Sequence, residues 1–293
     1  MKIDRFRVRP GDGRALRRHA PDTHGSFSGK KDALASLEKG VARLEARQAL
    51  FYARDEYSLL LIFQGMDGAG KDSAIKHVLS GINPLGTDVR TFKQPSSEEL
   101  AHDFLWRAAK ALPARGRIGV FDRSYYEDVL VVRVHPELIA ARHLPADRVT
   151  PRIWKERFES IIAFEQHLWR NGTIIRKFFL QISRDEQRRR LMKRLEDPTK
   201  NWKFSAADLP ERAKWKAYMR AYERVIAATS SREAPWYVIP ADHKWFAHAV
   251  IAAVVLEALD EIDLAVPRLS RERRRQLGEA QRMLAAEAAK HRG

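Results

Sequence analysis

The chain of 293 residues carries 54 Lys and Arg against 38 Asp and Glu, a formal net charge of +16, and has no cysteine. The lack of cysteine excludes disulfides and thiolate metal sites and fits a reducing, cytoplasmic setting. Residues 1–7 lack the apolar core of a signal peptide, and the most apolar late segment, 246–256, is too short to span a bilayer. We therefore expect a soluble protein without a membrane partner.

The excess of positive charge favours a polyanionic partner. Nucleic acid is the common partner of such a chain, but inorganic polyphosphate, charged at each phosphate, would be attracted by the same field. Part of the excess lies in the run 271–275, which could equally be a solvated helix. Charge alone does not choose between these interpretations.

Periodicity and turn residues predict an extended N-terminal arm over 1–29, a main domain over 30–265 and a C-terminal surface helix over 266–293. The predicted elements, in chain order, are a helix at 30–55, strands at 59–64 and 88–92, a helix at 96–112, a strand at 117–122, a helix at 151–170, a strand at 173–182, basic helices at 184–231, a strand at 235–240 and helices at 245–260 and from 270. Five strands alternate with helices, which predicts an α/β fold with a parallel five-stranded sheet covered on both faces.

A glycine-rich loop directly follows the first predicted strand and leads into a helix; it reads Gly65-Met66-Asp67-Gly68-Ala69-Gly70-Lys71. Strand, glycine loop and helix in this order build a phosphate cradle. The backbone N–H groups of Gly68, Ala69 and Gly70 would point at an anion. Lys71 would reach the outer phosphates. The alternative is a glycine-rich turn without a ligand.

Two residues depart from the usual phosphate loop. Asp72 stands where a Ser or Thr hydroxyl would bind Mg²⁺, and the loop itself contains a carboxylate, Asp67. A carboxylate in this place could hold Mg²⁺ or face an acceptor phosphate, and we favour the metal role. The alternative for Asp67 is a hydrogen bond that stiffens the loop.

The third predicted strand ends in Asp122, where a phosphate-loop protein places its second magnesium-directed carboxylate. Arg123 could face the same phosphates, or could form a salt bridge to Asp122 or Asp128. Glu127 and Asp128 follow within two helical turns. They could contact a nucleoside or a second metal, or could only favour the helix N-terminus.

A dense basic cluster begins at Arg184 and includes Arg189, Arg190 and Arg194. On a helix, positions 190, 193, 194 and 197 share a face, so Arg190, Lys193 and Arg194 could point together, and Asp197 ends that stripe. Guanidinium groups match the equatorial oxygens of a transferred phosphoryl group, and a helical lid at about 184–231 could close them over the cradle. The alternative is a solvated helix whose arginines pair with neighbouring acids.

With these motifs in hand, the chain resembles the second family of polyphosphate kinases, which move phosphate between inorganic polyphosphate and nucleotides. The resemblance covers about residues 30–265. It rests on the loop Gly65–Asp72 and on the stretches 92–96, 103–107, 121–128, 182–189, 197–198 and 201–204. It implies a three-layer, thymidylate-kinase-like P-loop kinase fold with a helical lid, and dependence on Mg²⁺ or, as a substitute, Mn²⁺.

The same resemblance implies roles for individual residues. Asp67 and Asp122 would hold the metal, and Lys71 and Arg123 would bind phosphates. Lys93 would contact the nucleotide. The remaining substrate contacts it implies are Gly68, Ala69, Gly70, Asp72, Glu127, Arg184, Arg189, Arg190, Arg194 and Lys203. The stretch 126–130 is similar to the class that acts on both AMP and ADP.

We therefore expect reversible, in-line transfer of the terminal phosphoryl group of polyphosphate to ADP or AMP, with guanine nucleotides as further candidates, by a homodimer or homotetramer. One rival is an ATP-dependent nucleoside monophosphate kinase on the same fold. Another is a nucleic-acid-binding P-loop protein, which the sequence disfavours because no recognised nucleic-acid module is present.

Overall fold

The computed structural model describes residues 2–25, 27–266 and 269–290. Its strands are β1 (Ser58–Gln64), β2 (Thr87–Thr91), β3 (Ile118–Asp122), β4 (Thr173–Gln181) and β5 (Trp236–Pro240). They form one sheet in the order β2-β3-β1-β4-β5, and every neighbouring pair is parallel. The predicted parallel five-stranded sheet is therefore confirmed.

Helices cover both faces of this sheet. In the described part of the chain they are α1 (Lys30–Arg54), α2 (Lys71–Val78), α3 (Ser97–Leu100), α4 (Trp106–Ala109), α5 (Glu127–Val134), α6 (Ile153–Arg170), α7 (Arg184–Glu196), α8 (Asp208–Ala213), α9 (Trp215–Thr229), α10 (Lys244–Asp260) and α11 (Arg271–Lys290). Helices α1, α2 and α10 pack together in one layer, and α5, α6 and α9 form the other. Strand β1 is buried along its whole length, as expected of a strand covered on both faces.

The prediction of one continuous helix over 96–112 is wrong. Ser96 does cap α3, in a capping box with Glu99, but the helix stops at Leu100 and a second short helix begins at Trp106. Asp103 lies in the break, where its Oδ1 accepts the N–H of Leu105 at 2.9 Å. A side chain that competes in this way for backbone donors favours a turn over a continuous helix.

The first residues of the chain pack on the main domain. Ile3, Phe6 and Val8 are buried, and Arg7 forms an antiparallel bridge to Tyr237 of β5. The three-part division of the chain stays a prediction, and its ends at residue 1 and residues 291–293 lie outside the described residues. The segment of residues 2–9 nevertheless covers the edge of β5.

A charged cluster lies in the core behind the turn that joins β3 to α5. Lys177 of β4 is fully buried and donates to Glu165 Oε2 at 2.5 Å and to Tyr126 Oη at 3.0 Å. Tyr125 and Tyr126 each donate to Glu165 Oε1 at 2.8 Å. Burial, aided by the Glu165 charge, holds the pKa of both tyrosines well above its usual value, so both remain donors. This cluster fixes the base of the β3–α5 turn.

Lys177→Met should lower the free energy of unfolding by about 3–5 kcal/mol, because it leaves Glu165 buried without its cation. Urea denaturation followed by tryptophan fluorescence measures the change. Lys155→Met is the matched control, since that lysine forms an exposed pair with Glu159 and should change stability by less than about 1 kcal/mol. Equal losses in the two variants would contradict the structural role of the cluster.

Candidate functional site

The carboxyl ends of the parallel strands meet at one edge of the sheet, and the glycine loop lies there, between β1 and α2. The connection that leaves β1 runs to β2, at one edge of the sheet, and the connection that leaves β4 runs to β5, at the other edge. In open α/β sheets, ligands bind outside the strand ends at such a reversal of strand order. The loop is therefore in the position expected of a phosphate site.

Local backbone demands explain two of the loop glycines. Gly70 is the N-cap of α2 and has a left-handed φ of 103°. A Cβ on Gly65 would lie 3.0 Å from the Leu180 carbonyl oxygen and 3.1 Å from Ala69 Cβ. Gly65 therefore allows β4 to pass close behind the loop. The Ala69 N–H donates to Met66 O at 3.0 Å, so this amide, predicted to face an anion, is used within the loop.

Lys71 points into the loop rather than into solvent. Its side chain is buried, and its Nζ donates to Gly65 O at 3.0 Å. Burial lowers the pKa of Lys71, and the Arg123 charge lowers it further, while Asp67 and Asp122 oppose both effects. A desolvated cation among these charges is suited to an incoming phosphate.

Asp122 ends β3 beside the loop, and its register partner on β1 is Phe63. Among the described residues its buried Oδ1 has no hydrogen-bond partner. Burial raises the pKa of Asp122, although Lys71 opposes the shift. A carboxylate oxygen turned inward without a donor fits coordination of a cation, since Mg²⁺ typically takes one or two carboxylates and completes its shell with phosphate and water. No cluster of three or more acidic or histidine ligands occurs in the described ranges.

Arg123 joins the glycine loop to α5. Its guanidinium donates to Asp67 Oδ1 at 2.6 Å and to Glu127 Oε2 at 3.1 Å. These two carboxylates, Glu127 first, raise the pKa of Arg123. Its backbone is left-handed, with a φ of 63°, a strained state that is concentrated at functional sites. Arg123 pairs with neither Asp122 nor Asp128, the two partners considered from the sequence.

Asp128 lies in the first turn of α5, as the helix-terminus interpretation requires, and it also pairs with two arginines that the sequence did not suggest. It is fully buried, with Arg142 at 2.7 Å and Arg157 at 3.8 Å from its Oδ1. Burial raises the pKa of Asp128, against the effect of these arginines. Only Glu127 of this acidic pair faces the loop.

Arg190 of α7 lies beneath the glycine loop and contacts its backbone, and the expected contact of Arg190 with substrate stays a prediction. Its five N–H groups donate to the Gly68, Ala69, Ala241 and Asp242 carbonyls and to Glu186 Oε1, at 2.6–2.9 Å. Gln187, one residue of α7 that the sequence did not single out, donates to Asp67 O at 2.8 Å. Arg190 therefore supports the loop, and its donors are used before any substrate arrives.

The other expected contacts lie at different places around the loop. Arg189 is exposed and pairs with Glu186 at 2.9 Å, Arg194 faces Asp208 at 3.5 Å, and Lys203 faces Asp72 at 3.7 Å. The predicted stripe ends at Asp197, as expected, because that residue caps α7 in an extended conformation. Arg184 and Lys93 have exposed side chains. Their backbone carbonyls accept from Arg212 and Arg107.

Asp242 and Lys244 were missed by sequence reasoning. Asp242 Oδ1 accepts the N–H of Ser183 at 2.7 Å, which fixes the start of α7. Lys244 begins α10, and its Cε lies 3.9 Å from the place where a Cβ on Gly70 would stand. No motif marks either residue, because only the fold brings the end of β5 beside the loop.

In the described part of the chain no helix is long and apolar enough to cross a bilayer, in agreement with the sequence.

Comparisons with known proteins agree with this geometry. The family model described as Polyphosphate kinase 2 (PPK2) matches residues 28–266. An ADP-polyphosphate phosphotransferase of Rhodopseudomonas palustris is 47% identical over 278 residues, 94% of this chain and 96% of that protein. An AMP/ADP-polyphosphate phosphotransferase of Meiothermus ruber is 42% identical over 267 residues, 90% of this chain and 96% of the relative.

A solved structure is also similar. The crystal structure of Polyphosphate Kinase 2 from Arthrobacter aurescens TC1 superposes with a TM-score of 0.85 at 40% identity, covering 96% of this chain and 95% of that one. Sequence match, shared length and shared architecture lead to one conclusion: the chain belongs to the polyphosphate kinase 2 family.

Proposed function

We propose that this protein transfers the terminal phosphoryl group of inorganic polyphosphate to ADP, forming ATP, and that AMP is a second acceptor. The observation that carries the proposal is the convergence of the glycine loop, Lys71, Asp122 and the Arg123–Asp67 pair at one edge of the sheet. Both relatives described above bear names that specify polyphosphate and ADP. A phosphate-chain donor also fits the net charge of +16.

The transfer needs no enzyme nucleophile. An oxygen of the acceptor's last phosphate attacks the terminal phosphorus of the chain, and the bond from that phosphorus to the next bridging oxygen breaks. The products are ATP and a chain shorter by one phosphate. One phosphoanhydride replaces another, so the reaction should run in both directions. Positioning and neutralisation of charge supply most of the rate enhancement in such transfers.

Each residue of the site has a role in this reaction. The loop and Lys71 hold donor phosphates, and Arg123 orients the acceptor phosphate while it fixes Asp67. Asp122 and the Asp67 carboxylate would hold Mg²⁺, or Mn²⁺ in its place, which would neutralise phosphate charge and align the two substrates. The unpartnered Oδ1 of Asp122 supports this assignment.

The lid supplies the remaining cations. Helix α7 and the turn after it carry Arg184, Arg189, Arg194 and Lys203, and closure would bring these side chains over the phosphates. Three of these cations now pair with acids, Arg189 with Glu186, Arg194 with Asp208 and Lys203 with Asp72, and phosphate oxygens can replace those acids. Arg190 would act on substrate only through the loop that it supports. Association into a dimer or tetramer and a cytoplasmic location remain predictions.

Lys71→Ala and Asp122→Asn should each lower kcat for ATP formation from polyphosphate and ADP by about 100- to 1,000-fold, as loss of a preorganised charge contact does in other enzymes. The measurement is ATP release by purified protein with Mg²⁺. Lys76→Ala removes an exposed lysine from the same helix and should retain normal turnover. Near-normal rates in both site variants would refute the assignment.

Arg190→Lys should lower kcat by about tenfold or more, because a lysine cannot hold four carbonyls at once and misplacement of the loop by about 1 Å can cost 100-fold. Arg188→Lys, two residues away on the same helix and exposed, is the matched control and should have little effect on the loop. Comparison of kcat and KM in the two variants checks this prediction. Equal effects of the two substitutions would show that Arg190 has no special supporting role.

The acceptor prediction is tested by supplying polyphosphate with AMP, ADP, GMP or GDP separately and identifying products by chromatography. We expect ADP from AMP and ATP from ADP. ATP supplied in place of polyphosphate should be a poor donor to AMP at limiting Mg²⁺, since a nucleotide lacks the chain's extended charge. Absence of product from AMP would restrict the protein to ADP.

A further inference from the structure

A second basic cavity lies away from the glycine loop and encloses about 510 Å³. Its walls come from the N-terminal segment and from the turn between α9 and β5. The lining contains five arginines and one acid, namely Arg5, Arg7, Arg9, Arg18, Arg232 and Asp4. We call it the arginine cavity.

The arginine cavity lies at the amino end of β5, opposite the catalytic edge. Val8 N donates to Trp236 O at 2.8 Å, and Arg7 bridges to Tyr237, which places the lining beside the first residues of β5. The glycine loop lies beyond the carboxyl ends of the strands. The five residues of β5, at about 3.3 Å each, separate the two edges by roughly 17 Å. The cavity is thus distinct from the site described above.

Most of its cations have no acidic partner. Within the described residues no carboxylate oxygen lies within 4.0 Å of the guanidinium nitrogens of Arg5, Arg7, Arg9 or Arg232, whereas Arg18 pairs with Asp12. Arg7 is held in place, since its Nη2 donates to the Arg232 carbonyl at 3.0 Å. Like charges gathered without counterions repel one another, and a multivalent anion would neutralise several of them together.

The side chains that line the cavity favour one kind of phosphate anion over another. Guanidinium forks match phosphate oxygens, which could belong to a nucleotide or to a phosphate chain. None of the described residues that line the cavity has an aromatic side chain on which a base could stack. We propose that the arginine cavity binds a segment of inorganic polyphosphate, as a second holding point for the donor whose end is processed at the glycine loop. The identity of this ligand as the donor rests on the proposed function.

If one polyphosphate chain is held at two points, its efficiency as a donor depends on its length. A long chain bound in the arginine cavity is kept at high effective concentration near the glycine loop. Tripolyphosphate is too short to engage both edges of the sheet. The cavity should therefore affect KM for long chains and leave the turnover of short donors unchanged.

The test uses Arg9→Gln/Arg232→Gln, since both side chains are exposed. The matched control, Arg274→Gln/Arg282→Gln, removes the same charge from α11. Calorimetric titration with long-chain polyphosphate, and separately with ATP, measures binding without acceptor at several salt concentrations. Kinetics with ADP then give KM for long-chain polyphosphate and for tripolyphosphate.

We expect the cavity variant to bind long chains about tenfold more weakly, with a shallower salt dependence, because fewer phosphates are neutralised. Its KM for long chains should rise by a similar factor, while kcat and the KM for tripolyphosphate stay as in the unmodified protein. The control variant should match the unmodified protein in all of these.

If polyphosphate binding is weakened equally in both double variants, the effect comes from the overall electrostatic field of the protein and the proposal is overturned. Unchanged binding in the cavity variant would overturn it as well. Weakened binding of ATP, rather than of the chain, would assign the cavity to nucleotides. If circular dichroism shows that the cavity double variant is unfolded, the single variant Arg232→Gln replaces it and the same results support or overturn the proposal. Binding is measured without turnover, so the two hypotheses can fail separately. A protein that binds polyphosphate through Arg9 and Arg232 but has no activity would contradict the proposed function and still support the arginine cavity as a binding site.

Discussion

The catalytic edge depends on the contacts of one guanidinium, that of Arg190. It binds carbonyls from two segments far apart in the chain, the glycine loop and the residues after β5, and its own helix supplies Glu186 to balance the charge. In a trans peptide the C=O and N–H point in opposite directions. When the Ala69 carbonyl turns to Arg190, the N–H of Gly70 must turn away from Arg190. The loop is thus shaped from beneath, before phosphate arrives.

The charges above the loop are arranged differently. Among the described residues, Arg123 is shared between Asp67 and Glu127, Lys71 is bound only to a carbonyl, and one oxygen of Asp122 has no donor. These groups are held near one another by strand register and by a strained backbone, so their positions need little reorganisation on binding. A phosphate chain and its metal would provide the partners that this arrangement lacks. The buried Lys177–Glu165 pair lies below the same turn, where Glu165 accepts from Tyr125 and Tyr126.

The sequence predicted the sheet, the glycine loop and Asp122 because strand, loop and helix are contiguous and each has a local physical signature. The sequence could not predict the contacts of Arg190. A helical pattern gives the direction in which a side chain points, but not which backbone carbonyls the fold brings to it. Asp242 and Lys244 were missed for the same reason. The N-terminal arm was expected from its lack of periodicity, and the burial of Phe6 and Val8 shows that a few apolar residues suffice to attach such a segment to a strand edge.

The pairing of Arg7 with Tyr237 also bears on how the molecule is made. A ribosome that adds about 5–20 residues per second needs about 10–50 s to pass from the first of these residues to the second. During that interval the opening segment has no strand to cover and its apolar side chains face the crowded cell. Closure of this edge of the sheet therefore has to wait for a strand that is made about 230 residues after the segment that covers it.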